Sequence, residues 1–118
     1  MHFKDNEFEA AICLSVLEHG VDITRFFKEA SRILTNGTKL YVSVDYWEPK
    51  IPTVGISMYG RPYTIFCRKE VMAMIQIAHK YGFRLKQNME IPEVCEPVIY
   101  FLDKAYTFLS IEFILEKR

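Results

Sequence analysis

Few side chains in this sequence suit acid–base or nucleophilic chemistry, and His19 stands first among them. It follows Leu17-Glu18 at the end of an apolar run, and an imidazole that titrates near neutrality suits a general base. The competing role is structural, with Glu18 and His19 bracing the turn that follows. Cys67 comes next, ahead of Arg68-Lys69-Glu70 at the start of a helix-spaced stretch. A thiol at a helix N-terminus is either activated there or a plain cap, and the spacing to Glu70 fits a capping box in which Ser would be usual. Tyr46, Trp47, Tyr59 and Tyr63 fall in a stretch broken by Pro49, Pro52, Gly55, Gly60 and Pro62. Their rings either stack on a ligand or cover one end of a sheet. Cys13, Cys67 and Cys95 are odd in number and far apart, so neither a disulfide framework nor a CxxC metal knuckle follows.

These residues need elements to position them. Ala10-Ala11-Ile12-Cys13-Leu14 is a continuous apolar run too short for a helix, the pattern of a strand buried on both faces of a parallel sheet. Ile23, Phe26, Phe27, Ala30, Ile33 and Leu34 then recur at helical spacing, with Asp22 as N-cap and Asn36-Gly37 as the left-handed stop. Leu40 to Val44 reads as a second strand, which completes a βαβ unit. A second helix carries Val71, Met74, Ile75 and Ala78 on one stripe and stops at Gly82, and Phe83-Arg84-Leu85 opens a third strand. Val98 to Leu102 is compatible with a short strand or a helical turn, and Tyr106 to Leu115 forms the last strand.

The 118 residues fit one domain, 1–118, and 50% hydrophobic content supplies a real core. Fifteen basic residues balance fifteen acidic ones with no Lys/Arg-rich run, which excludes the electrostatic footprint of a nucleic-acid binder. No stretch approaches the ~18 apolar residues of a membrane span. With no apolar leader segment and no disulfide pattern, the expectation is a soluble, cytoplasmic protein.

Several short motifs then line up in order. Phe8-Glu9-Ala10 resembles the Phe-Asp-Ala lead into strand four of class I S-adenosylmethionine-dependent methyltransferases, and Leu17-Glu18-His19 is similar to the Leu-Glu-His that follows it. Arg32 to Gly37 resembles the family's turn before strand five, and Tyr106-Thr107-Phe108-Leu109 its closing hairpin. The resemblance is to the C-terminal half of the domain, of the small-molecule, type 11-like kind. It implies a partial Rossmann-like α/β fold whose mixed sheet of about four strands takes the parental order 4-5-7-6. It also places the family's glycine-rich loop ahead of Met1. Within the sequence the glycines are Gly20, Gly37, Gly55, Gly60 and Gly82, and no two are two apart.

By position, the resemblance makes Leu14, Ser15 and Leu17 cofactor contacts, His19 the catalytic base, and Tyr46, Trp47 and Tyr59 the wall for a small-molecule methyl acceptor. Members with Glu-x-x-Glu-His bind a divalent metal, but Ser15 stands where the first Glu would be, so no metal is expected. S-adenosylmethionine is the implied cofactor, held weakly by this chain alone. One reading is a methyltransferase half that needs complementing polypeptide; the other is a non-enzymatic α/β binding or assembly module. Either way the strand Ala10–Leu14 is expected at a sheet edge, where a homodimer or a complementing chain pairs with it.

Overall fold

A computed structural model describes residues 3–14, 17, 19–53, 55–58, 60–86, 96–101 and 104–116. Strand β1, Phe8–Leu14, leads through a turn to helix α1, Ile23–Ile33, and directly into strand β2, Leu34–Tyr46. The Asp22 carboxylate accepts from Arg25 N at 3.1 Å, so the expected N-cap is in place. The expected C-cap is not. Leu34 follows Ile33 with extended backbone (φ −94°, ψ 145°) and is fully buried, so core packing draws the chain straight from helix to strand. Gly37, at φ 84°, serves a bulge instead. There the register steps from Phe8 opposite Leu34 to Ala10 opposite Lys39.

After β2 come a small hairpin of β3, Ser57–Met58, and β4, Arg61–Pro62, and then helix α2, Arg68–Lys80. Cys67 occupies the N-cap position of α2, and its backbone N–H donates to Glu70 at 3.1 Å. Strand β5 is Phe83–Leu85, β6 is Ile99–Phe101 and β7 is Lys104–Leu115. The open choice at Val98 to Leu102 resolves to a strand over Ile99–Phe101, with Leu102 outside the described residues.

The main sheet runs β1-β2-β7-β5, with β1 parallel to β2 and β7 antiparallel to both β2 and β5. That is the expected 4-5-7-6 order. β6 adds a fifth strand by pairing antiparallel with the start of β7. Alternation decides the faces. Leu40, Val42, Val44 and Tyr46 of β2 are buried in one cluster with Ile111, Phe113 and Leu115 of β7. Phe27 of α1 meets Phe83 and Phe113 edge-to-face, with ring centroids 5.6 Å away in each case. Burying each such ring contributes roughly 1.5–3 kcal/mol, so this helix-covered face carries the core. No helix among the described residues is long and apolar enough to cross a membrane.

Candidate functional site

The carboxyl ends of β1 and β2 lie side by side, the place where open α/β sheets bind ligands. The chain leaving β2 is strapped back onto it. Phe66 N donates to Asp45 O at 2.8 Å, and Trp47 N donates to Phe66 O at 3.0 Å. Lys50 holds the strap from the far side, donating to Ile65 O at 2.9 Å and to the Glu70 carboxylate at 2.6 Å. Burial works to raise the Glu70 pKa, but the Lys50 ammonium and the Cys67 N–H outweigh it and hold the carboxyl below its ordinary value.

Beneath the strap, on the face away from the helices, sits a second buried cluster of Tyr63, Ile65 and Tyr106, against which Trp47 packs. The Tyr63 hydroxyl donates to the Asp45 carboxylate, and both groups are buried. Tyr63 also shares a side-chain hydrogen bond with Tyr106. Burial raises the Asp45 carboxyl above its ordinary value, against the opposing pull of the Tyr63 hydrogen bond and of His19. Burial and the adjoining Asp45 carboxylate likewise push the Tyr63 hydroxyl far up, so it stays protonated and donating. The His19 ring lies 5.6 Å from the Tyr63 ring, tilted by 36°. Gly20, at φ 75°, lets this turn close on the β4 hairpin. A Cβ there would sit 3.3 Å from Pro62 Cδ.

The structure therefore gathers His19 and Trp47 around Asp45 and Tyr63. Leu17, 2% exposed, and Tyr46, fully buried, are packed in the main core. The side chain of Leu14 and the whole of Ser15 and Tyr59 lie outside the described residues. Sequence reasoning passed over Asp45 as a site residue and treated Tyr63 only as one loop aromatic. Asp45 closes an apolar strand with a carboxylate, and that position at a strand's carboxyl end was the available signal.

A groove of about 890 Å³ opens at the opposite end of the sheet, lined in part by Ser31, His79, Lys80, Tyr81 and Arg84. Its charges are already engaged: Arg84 pairs with Glu116, and the Lys80 ammonium lies 5.7 Å from the Tyr81 ring centroid. It also lies at the amino ends of the parallel strands. The strand-end cluster is the better candidate on both counts. Among the described residues, no group of three His, Cys, Asp or Glu side chains is placed to hold a metal ion.

These features define an α/β domain with a Rossmann-like mixed sheet. Within that class the family model that matches is the methyltransferase domain, over residues 1–42. The chain resembles the C-terminal half of a class I S-adenosylmethionine-dependent methyltransferase in that segment and in fold. A SAM-dependent methyltransferase from Methanosarcina mazei matches 100% of this chain and 64% of its own, at 15% identity and TM-score 0.64. An arsenic(III) S-adenosylmethionine methyltransferase from Chlamydomonas reinhardtii matches 98% of this chain and 40% of its own, at 23% identity and TM-score 0.61. The [4+2]-cyclase SpnF matches 74% of this chain and 30% of its own, at 21% identity and TM-score 0.53. This chain thus spans 30% to 64% of the length of these three proteins. No curated protein sequence matches it.

The residues present do not fit a whole S-adenosylmethionine. Close backbone approach to a ligand needs glycine, and the 118 residues contain no Gly-x-Gly. Leu17 is enclosed in the core, and the Asp45 carboxylate is turned to Tyr63.

Proposed function

We propose that this chain forms the acceptor-side wall of a methyl-transfer site whose cofactor side comes from other polypeptide. The observation that carries the reading is the cluster of His19, Asp45 and Tyr63 at the carboxyl ends of β1 and β2, in a sequence without a glycine-rich loop. In this reading His19 takes the proton that the acceptor's nucleophilic atom gives up. Trp47, packed against the Tyr63 cluster, offers apolar surface to a small-molecule acceptor. Asp45, pinned by Tyr63, sets the electrostatic field at the strand ends. The three scattered cysteines favour a cytoplasmic setting.

Calorimetry with S-adenosylmethionine on the purified chain tests this division of labour. No binding is expected in the low-micromolar range (about −8 kcal/mol), and affinity of that order would show that the chain completes a cofactor site by itself. A second reading is a non-enzymatic module, and the structures similar to this chain include a cyclase as well as methyltransferases. That match is a reminder that this fold hosts more than one activity.

A further inference from the structure

The turn that carries His19 is anchored on either side of it. Leu17 is buried in the main core, Val21 packs against that core, and Asp22 caps α1. His19 is half-buried between them, and Gly20 follows it at φ 75°. Glycine adopts that conformation freely, so packing against neighbours decides where this part of the turn lies. The strap supplies that packing. The His19 ring lies 5.6 Å from the Tyr63 ring, and a Cβ on Gly20 would sit 3.3 Å from Pro62 Cδ. Two successive residues of one loop thus meet two successive residues of the other.

Tyr63 is the fixed member of that contact. It is 3% exposed, and Ile65 and Tyr106 are buried with it in one cluster. Its hydroxyl donates to the Asp45 carboxylate and shares a hydrogen bond with Tyr106, so the ring is held at its far end as well as along its sides. The strap that carries it is tied to β2 through Phe66 and to α2 through Lys50 and Glu70. We propose that Tyr63 is a positioning residue for His19: its ring, brought in by the strap, is the surface that fixes the imidazole at the strand ends. A displacement of about 1 Å near a reacting centre can cost about a hundredfold in rate, and a base on a glycine-containing turn is open to such displacement. What His19 does rests on the methyl-transfer reading. Where its ring lies is measured without cofactor or acceptor, so the two can fail separately.

Carbon-13 relaxation of the imidazole C–H groups in the purified chain tests the proposal, with His19→Gln to assign the His19 signals. His79, exposed at the end of α2, serves as the mobile reference. The His19 ring is expected to be rigid in the parent, with an order parameter near the ~0.85 of ordered backbone. Tyr63→Phe weakens the fold by removing a buried hydroxyl, yet it keeps the ring and so keeps His19 rigid. Tyr63→Leu removes the ring, and the His19 order parameter falls below about 0.6. Gly20→Ala gives a second route if Tyr63→Leu does not fold by circular dichroism. At this exposed position the added methyl meets Pro62 and strains the positive φ, which draws the turn away from an intact Tyr63 and frees His19. A His19 ring as mobile as His79 in the parent overturns the proposal. So does a ring that stays rigid in a folded Tyr63→Leu, or in Gly20→Ala where Tyr63→Leu is unfolded. Mobility already present in Tyr63→Phe overturns it too, and assigns the positioning to the hydroxyl network instead of the ring.

Discussion

The sheet presents two faces with opposite chemistry. Toward the helices, β2 and β7 send in Val42, Val44, Ile111 and Phe113, all buried and all apolar. Toward the other side the same strands send Tyr41, Asp45, Phe108 and Glu112, and each finds a different solution. Asp45 is covered by the 47–66 strap, while Phe108 stands 52% exposed. Tyr41 hydrogen-bonds Glu112, which also pairs with Lys86 at 3.2 Å; the Tyr41 contact, then the Lys86 ammonium, holds the Glu112 carboxyl below its ordinary value. One strand thus builds a dry, interchangeable core and a set of particular polar contacts at once. Stability belongs mainly to the first face and the candidate chemistry to the second.

The strongest way to break that division is to cut into the helix-covered face. Phe113 is fully buried, with ring centroids 5.6 Å from Phe27 and 6.2 Å from Phe83. Phe113→Ala is expected to cost about 3–5 kcal/mol in chemical denaturation, from lost transfer energy and the cavity left behind. A loss under about 1 kcal/mol would mean that this face does not carry the fold.

What the sequence revealed follows the same division. The strands and helices around the core were legible because apolar residues repeat at 2.0 or 3.6 residues regardless of distant partners. Ile23, Phe27, Ala30 and Ile33 announced α1, and Cys67 with Glu70 announced the start of α2. The Asn36-Gly37 pair misled because a left-handed residue serves a bulge as well as a helix end, and Leu34's burial decided between them. The polar face stayed hidden. Asp45 and Tyr63 are 18 residues apart and meet only because Phe66 returns to hydrogen-bond with Asp45. No local periodicity encodes such a return.

Tyr63→Phe sharpens the comparison next. The ring remains, but the buried Asp45 carboxylate and Tyr106 lose a hydroxyl partner. The expected loss is roughly 1–3 kcal/mol, the cost of leaving a buried polar group unsatisfied. The substitution also has a signature that loose packing would not give. The Tyr63 hydrogen bond opposes the upward push of burial on Asp45, so carbon-13 NMR of the carboxyl should show its titration moved further up. An unmoved titration would separate Asp45 from Tyr63.

Asp22→Ala probes the helix-covered face where packing is not involved. Among the described residues the carboxylate accepts from Arg25 N alone and lies in the open, so the expected cost is about 1 kcal/mol, the usual worth of an N-cap. A cost equal to that of Phe113→Ala would mean that α1 holds its place by capping rather than by burial of Phe27.

The smallest effect, and the one that depends on pH, is expected from Asp45→Asn. The amide keeps the shape and an oxygen to accept from Tyr63, but it cannot ionise. In the folded chain burial holds the Asp45 carboxyl above its ordinary value. As pH rises past that value, the unfolded chain gives up the proton while the folded chain still keeps it. The folded state therefore binds more protons, and this group's contribution to stability falls with rising pH until the folded carboxyl has ionised as well. The cost is absent in acid and fully present above the raised value. Asp45→Asn removes it, so the variant should match the parent in acid, gain on it as pH rises past the ordinary carboxyl range, and hold a constant lead once the folded carboxyl has ionised, read as denaturation midpoints across pH. If the parent instead gains on the variant as pH rises, the carboxylate is held as a favoured anion. The polar face would then have to be redrawn as a charged site, with His19 rather than Tyr63 as the main partner of Asp45.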